Sequence, residues 1–141
     1  MCEQLDHVVT WSDVILLLYS ITDRTSYNTA NIAHKYINNR MHHRKVSGLN
    51  SNNYVLKLDL YLQMQEASTV EACVTPCVIL VGNKNDLWQD REVATDLACQ
   101  EAEAGGYTNY HEITTKESLD QVRIVFTEGI RRGLAQGEHR F

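Results

Sequence analysis

Two short polar segments of this sequence carry the side chains best suited to bind a ligand. The first is Asn83-Lys84-Asn85-Asp86, which comes directly after the apolar run Cys77-Val78-Ile79-Leu80-Val81 and Gly82. A carboxylate such as Asp86 can accept two adjacent hydrogens at once, as the N1–H and 2-amino group of guanine present them, whereas adenine has no such edge. Charge-assisted hydrogen bonds of this kind contribute about 1.5–3 kcal/mol each. The segment therefore suits recognition of a guanine base.

The residues before Asp86 can support that contact. Lys84 has an aliphatic stem that can lie along a base or a ribose, while its ammonium group ties down neighbouring backbone. Asn83 has a side-chain amide that both donates and accepts hydrogen bonds, so it can brace the loop. A solvated surface loop is the alternative interpretation of these polar residues.

Asn83-Lys84-Asn85-Asp86 resembles the NKxD guanine-specificity motif of the Ras-like small GTPases. The second polar segment, residues 110–116 (Tyr-His-Glu-Ile-Thr-Thr-Lys), resembles the stretch often written ETSAK in the same family. The two matches together imply a guanine nucleotide, GTP or GDP, as the ligand, and a role in signal transduction.

The second segment matches the family position by position. Glu112 stands at the acid and Thr114 at the serine, whereas Thr115 replaces the alanine and Lys116 matches the lysine. The resemblance implies that the Thr114 hydroxyl bonds the Asp86 loop and that the backbone N–H of Thr115 donates to guanine O6. The guanine-binding residues that it implies are Asn83, Lys84, Asp86, Thr114, Thr115 and Lys116.

The flanking sequence extends the resemblance to residues 11–45 and 75–134, about two-thirds of the chain. Residues 11–27 are similar to the family's fourth strand and the start of the helix after it. Within the family, this stretch of sequence is most similar to the group of the Ras-related, estrogen-regulated growth inhibitor.

The apolar runs predict buried strands. Residues 14–21 and 77–81 are apolar on both faces and too short for ordinary helices, which is typical of strands in a parallel sheet covered on both sides. A third, short strand is expected near residues 107–113. Each predicted strand is followed by a helical pattern.

The helices are predicted from caps and apolar spacing. Asp23 or Thr25 can cap a first helix, whose apolar stripe is Tyr27, Ala30, Ala33, Ile37 and Met41. A second helix over about residues 95–103 ends at Gly105-Gly106. A third begins near Glu117, and its apolar face is Leu119, Val122, Phe126 and Ile130.

Alternating strands and helices indicate an α/β fold, a doubly wound parallel sheet with helices on both faces. The resemblance implies one partial GTPase domain over residues 1–141. It would be of the P-loop GTPase type, with strands 4–6 and helices 3–5 of the family and without the N-terminal strands. The strand at residues 14–21 would then present an unpaired apolar edge. We therefore expect this chain alone to be marginally stable, self-associating or dependent on a partner.

The phosphate-binding motifs of the family do not occur in this sequence. It contains no G-x-x-x-x-G-K-S/T, and no D-x-x-G precedes Trp11. Hydrolysis and Mg²⁺ binding are therefore expected only in a complete protein, because phosphoryl transfer depends on charge stabilisation around the phosphates. Residues 1–10 are expected to correspond to the tail of the second switch, which suggests a truncation or an internal start.

Composition limits the other classes of function. The 141 residues carry a formal charge of −5, which argues against broad binding to nucleic acid or membrane surfaces. The termini show neither a secretory signal nor a cysteine for prenylation, and no apolar run is long enough to span a membrane. The four cysteines lack zinc-site spacing. A cytoplasmic protein without a lipid anchor is expected.

Residues 45–75 do not fit the alternation, since connections in such folds usually have two to six residues. One interpretation is an inserted surface loop. The other is that the segment is not native to the fold, because Lys45-Val46-Ser47 is what read-through of a typical intron start would encode.

Three functions remain open on the sequence alone. The first is a nucleotide-switching GTPase with protein effectors or regulators. The second is a non-catalytic truncated isoform that competes for the partners of a longer form through its last helix. The third is a doubly wound domain for another ligand, which Asp86 argues against.

Overall fold

The computed structural model describes residues 11–46 and 76–137, together with Asp6 and Val9. The segment at 45–75 that the sequence sets apart lies almost entirely outside the described residues. The elements, in chain order, are β1 (Val14–Ser20), α1 (Arg24–Val46), β2 (Cys77–Asn83), a 3-10 helix (Asn85–Asp90), α2 (Thr95–Gly105), β3 (Asn109–Glu112) and α3 (Leu119–Gly137).

The three strands form one parallel sheet in the order β1-β2-β3. Two apolar clusters cover its two faces. One contains Val78 and Leu80 of β2 together with residues of α1 and α2, and the other contains Ile79 and Val81 together with Val125 of α3. The α/β class, the parallel sheet and helices on both faces are therefore confirmed.

The central strand β2 is buried over Cys77–Gly82, on both faces. It has a paired neighbour on each side, which is why its sequence shows no alternation of apolar and polar residues. Strand β1 pairs with β2 alone among the described residues, and of its seven side chains only Ile15 and Tyr19 are buried.

Helix α1 begins after a side-chain cap. Asp23 Oδ1 accepts hydrogen bonds from the backbone N–H groups of Thr25 (2.8 Å) and Ser26 (3.1 Å), so Asp23 rather than Thr25 is the cap. The predicted stripe is buried at four of its five positions, and Ala33 is half-buried. His34 is buried as well, because its ring stacks on Tyr107 with the centroids 3.6 Å apart.

Helix α2 ends as its glycines indicate. Gly106 has φ 79°, in the left-handed region that glycine adopts without a steric cost, and its N–H bonds the carbonyls of Ala102 and Glu103. The chain then turns into β3, and just before the strand the Thr108 N–H donates to the Val78 carbonyl (2.7 Å), which aligns β3 with β2.

The apolar stripe of α3 differs from the prediction. Leu119, Phe126 and Ile130 are 76%, 56% and 62% exposed, and only Val122 packs against the sheet. The helix instead meets the sheet through Val125 and two glycines.

Glycine is what brings α3 onto β1. A Cβ added at Gly129 would lie 3.4 Å from Val14, and one at Gly133 would lie 3.1 Å from it. The close approach at these two positions sets the rotation of the helix about its axis. The large apolar residues are left beside the contact rather than within it.

Replacing Gly82 by alanine is expected to destabilise the fold by about 1–3 kcal/mol, the usual cost of overpacking. A Cβ there would lie 2.8 Å from Oη and 2.9 Å from Cζ of Tyr19. That ring is 3% exposed, packs edge-on against Tyr27 and bonds the Tyr110 hydroxyl, so it has no free space to move into. Urea unfolding would measure the loss.

The matched control is Gly105→Ala, near the end of α2. A Cβ at Gly105 meets nothing closer than 3.6 Å, and alanine is the better helix former. This variant should be as stable as the unchanged chain or slightly more so. Equal stability of the two variants would show that the Tyr19 ring yields to a methyl group.

Candidate functional site

The two polar segments lie side by side, at the carboxyl ends of β2 and β3. Gly82 is paired with Glu112 at the end of the ladder. Beyond it, the N–H of Ile113 bonds the Gly82 carbonyl (2.8 Å) and the N–H of Asn85 bonds the Ile113 carbonyl (3.1 Å). Backbone hydrogen bonds therefore fix the two loops against each other in the region where open parallel sheets bind ligands.

A left-handed residue shapes the first loop. Lys84 has φ 67° and ψ 36°, and no other described residue except glycine has positive φ. A side chain in this conformation costs roughly 1–2 kcal/mol. The bend starts the 3-10 helix, in which the Leu87 N–H bonds the Lys84 carbonyl (2.9 Å). It turns Asp86 back toward the second loop instead of letting the chain continue along the strand.

Asp86 is held from the second loop. The Thr114 hydroxyl donates to Asp86 Oδ1 at 2.7 Å, which confirms the contact expected from the sequence. Thr114 is itself buried, and its backbone N–H donates to Gln121 Oε1 of α3 at 2.9 Å. The carboxylate keeps acceptor capacity beyond the one bond from threonine, because its two oxygens offer about four lone-pair sites.

Asn83 braces the two loops, but its partner is the backbone N–H of Thr115, which the resemblance assigns to the ligand. The backbone N–H of Thr115 donates to Asn83 Oδ1 at 3.3 Å. The sequence resemblance implies that this N–H donates to guanine O6. A bound base would therefore have to share or replace this long hydrogen bond.

The remaining expected residues lie at the rim. The side chains of Lys84, Thr115 and Lys116 are exposed, whereas Asn83 and Asp86 are half-buried between them. The structure thus joins Asn83, Asp86, Thr114 and Thr115 by direct hydrogen bonds. It places the two lysines beside them, where their ammonium groups are open to solvent.

Sequence reasoning missed a charge pair behind the first loop. Arg91 donates from both terminal nitrogens to Glu112, at 2.7 and 2.8 Å, and from Nη2 to Asn85 Oδ1 at 2.9 Å. The bidentate pair is mostly buried, with side chains 20% and 10% exposed. Arg91 therefore ties the end of β3 to the loop that carries Asp86.

The Glu112 carboxylate is surrounded by donors. Tyr110 donates to it at 2.6 Å and Thr95 at 3.3 Å, in addition to Arg91. Burial acts to raise the pKa of Glu112, but the hydrogen bonds from Arg91 and Tyr110 outweigh it and hold that pKa below its ordinary value. The group is therefore a structural anion and not a proton donor at neutral pH.

No signal in the sequence alone indicates the partnership of Arg91 with Glu112. The two residues are 21 positions apart, with Arg91 just after the 3-10 helix and Glu112 at the end of β3. The sequence singles out Glu112 only through its match to the acid of the ETSAK-like segment. No sequence signal indicates a role for Gln121, because a glutamine near the start of a helix is common.

Comparisons with known proteins add no assignment. No protein-family model matches this sequence, and no curated protein matches it. In the part of the chain that the structure describes, no helix has both the length and the apolar content needed to cross a membrane.

Proposed function

We propose that residues 83–86 and 113–116 recognise a guanine base, and that the chain is the base-recognising part of a Ras-like small GTPase. The observation that carries the proposal is the 2.7 Å hydrogen bond from Thr114 to Asp86. It holds a carboxylate between two loops at the ligand-binding end of a parallel sheet.

Asp86 is the residue that selects the base in this proposal. Its carboxylate accepts the N1–H and the 2-amino hydrogen of guanine, each bond contributing about 1.5–3 kcal/mol. Adenine presents no matching pair of donors, so GDP and ADP should differ in affinity although their phosphates are identical. Asn83 ties the second loop to the first by accepting from the Thr115 N–H, a 3.3 Å bond that guanine O6 would share or replace.

The flanking groups suit the rest of a nucleotide. Lys84 and Lys116 are both exposed at the rim, where their stems can cover the base and their charges can face an anionic ligand. The left-handed turn at Lys84 is a locally costly conformation of the kind that clusters at ligand sites.

GTP hydrolysis belongs to this proposal only for a complete protein. The sequence contains no phosphate loop. Among the described residues, no group of three histidine, cysteine, aspartate or glutamate side chains could hold a metal ion. Base recognition is therefore the activity proposed for these residues.

A titration with a fluorescent GDP analogue, displaced by GDP or by ADP, tests the proposal. We expect a dissociation constant weaker than about 100 µM, because the base contacts act without a phosphate loop. GDP should displace the probe at least about tenfold better than ADP, the effect of one lost hydrogen bond of 1.4 kcal/mol or more. Equal displacement by the two nucleotides would exclude guanine recognition.

A non-catalytic interaction protein is the second candidate. The observation that favours it is the set of large apolar side chains that α3 exposes at Leu119, Phe126, Ile130 and Leu134. Such a set is typical of surfaces that bind another protein. Loss of base preference together with retained protein binding would favour this function over the first.

A further inference from the structure

Strand β1 ends the described sheet with an open row of backbone groups. The carbonyl of Asp13 and the N–H of Ile21 bond β2, so the odd-numbered residues between them direct their N–H and C=O groups toward β2. The even-numbered residues direct theirs to the opposite side. Ser20 is satisfied there by the Ser26 hydroxyl (3.0 Å). In the described part of the chain, the outward groups of Val14, Leu16 and Leu18 have no strand beside them.

This edge lacks the devices that usually prevent pairing. Residues 14–20 include no charge, no proline and no glycine. Val14 and Leu16 pack under α3, and Leu18 points to the same face but is 57% exposed. The edge is therefore apolar on the α3 side, and no strand of the described residues uses its outward backbone groups.

The exposed stripe of α3 lies above that edge. The other side of the helix is tied to β3, because Glu128 accepts hydrogen bonds from Asn109 (2.8 Å) and from His111 (2.6 Å). Gly133 faces Val14 of β1. At 100° per residue, the stripe lies beyond Gly133 on the side away from Glu128 and projects past β1. Its members, spaced seven, four and four apart, are Leu119, Phe126, Ile130 and Leu134.

We infer that two copies of this chain associate about a two-fold axis, with β1 of each copy paired antiparallel to β1 of the other. The axis passes beside Leu16, so that Leu16 faces Leu16 of the second copy and Val14 faces Leu18. The two-fold axis repeats the second pair as Leu18 facing Val14, and each of the three pairs exchanges two N–H···O=C bonds, the pattern of a hydrogen-bonded antiparallel pair. The outward groups of β1 are then all satisfied, in one continuous six-stranded sheet.

The same symmetry covers the apolar side chains. A two-fold axis perpendicular to the sheet keeps both α3 helices on one face, so their stripes meet above the joined edges. Leu18 lies against Val14 of the second copy, which closes the gap beneath the helices. The interface is isologous, because each half is made of the same residues.

The amount of surface supports a second copy as the occupant. Leu18 and the four stripe residues are 56–76% exposed, on the order of 500 Å² of apolar surface per copy, and the strand backbone adds to it. Specific, stable interfaces bury about 800 Å² per partner. Because the edge is self-complementary, a second copy can satisfy it, and the inference does not depend on the proposed nucleotide site.

Sedimentation velocity over a concentration series tests the inference with the full chain. We expect a dimer that dissociates on dilution, and at least tenfold weaker association for Ile130→Glu and for Leu18→Glu. Ile124→Glu is the matched control: Ile124 is 59% exposed against 62% for Ile130, but the two side chains lie about 120° apart around α3. It should leave the dimer intact, and circular dichroism would show that each variant is folded.

Three results would overturn the inference. The unchanged chain could remain a monomer at the highest concentration reached, Ile124→Glu could weaken association as much as Ile130→Glu, or the assembly could grow beyond two copies. Hydrogen exchange separates edge pairing from helix contacts alone. The amides of Leu16 and Leu18 should be protected in the dimer and should lose that protection in Ile130→Glu.

Discussion

Replacing Arg91 by methionine should destabilise the protein by about 3 kcal/mol, because it leaves the Glu112 carboxylate without its bidentate partner. Glu112 is 10% exposed at its side chain, so water cannot fully replace the lost guanidinium. Methionine keeps much of the length of arginine, so the loss reflects the missing guanidinium, which also donates to Asn85 Oδ1 and to the Val93 carbonyl. Urea unfolding at neutral pH would measure it.

Two controls separate this effect from a general loss of charge. Arg123→Met removes an exposed pair with Asp120 (3.6 Å, side chains 78% and 86% exposed) and should change stability by no more than about 0.5 kcal/mol. Adding Glu112→Gln to Arg91→Met should recover part of the loss, since no buried charge remains. Equal effects of Arg91→Met and Arg123→Met would contradict a structural role for the pair.

The difference in unfolding free energy between the unchanged chain and Arg91→Met should also depend on pH. The pKa of Glu112 is held below its ordinary value in the folded chain. Its contribution to stability is therefore present above the ordinary pKa and is lost as the pH falls through the lower, folded value. The gap in stability between the unchanged chain and Arg91→Met should narrow in acid.

The strands were predictable because burial on both faces leaves a direct trace in the sequence. Residues 14–21 and 77–81 are continuous apolar runs, and the structure has strands at Val14–Ser20 and Cys77–Asn83. Strand β3 has four residues, all half-buried, and carries no such run. Its position is predictable only from the helical patterns before and after it and not from its own residues.

The orientation of α3 was not predictable from its apolar spacing. The spacing of Leu119, Phe126 and Ile130 describes a face, but it does not say that the face meets the sheet. Gly129 and Gly133 decide the contact, because they allow the closest approach to Val14. A hydrophobicity pattern gives glycine little weight, so it selects the larger residues beside the glycines.

The candidate site was predictable where it depends on strand ends, and unpredictable where it depends on side chains far apart in sequence. The contact of Thr114 with Asp86 follows from two loops at one edge of a parallel sheet. The contact of Arg91 with Asn85 and Glu112 depends on the course of the 3-10 helix between them. His34 is a similar case, since its partner Tyr107 is on another element.

Asp86→Asn is the change expected to affect ligand choice most, because it reverses the hydrogen-bonding character of one group without changing its shape. The Thr114 hydroxyl donates to Asp86 Oδ1. In the variant, the amide oxygen can keep that bond, which turns the NH₂ toward the ligand. A donor then faces the N1–H and 2-amino group of guanine, whereas the O2 carbonyl of xanthine can accept from it.

The preference between GDP and xanthosine diphosphate should therefore change by at least about 100-fold toward xanthine, since two charge-assisted bonds of about 1.5–3 kcal/mol each are at stake. Displacement of a fluorescent nucleotide by each competitor measures the ratio. Asp90→Asn is the matched control, because Asp90 is an exposed acid of the same 3-10 helix and should leave the ratio unchanged. If Asp86→Asn kept the preference for guanine, the Asp86 carboxylate would not be the group that reads the base. A shift toward xanthine would show that the Asp86 carboxylate reads the base, a result that a purely structural role of Asp86 would not produce.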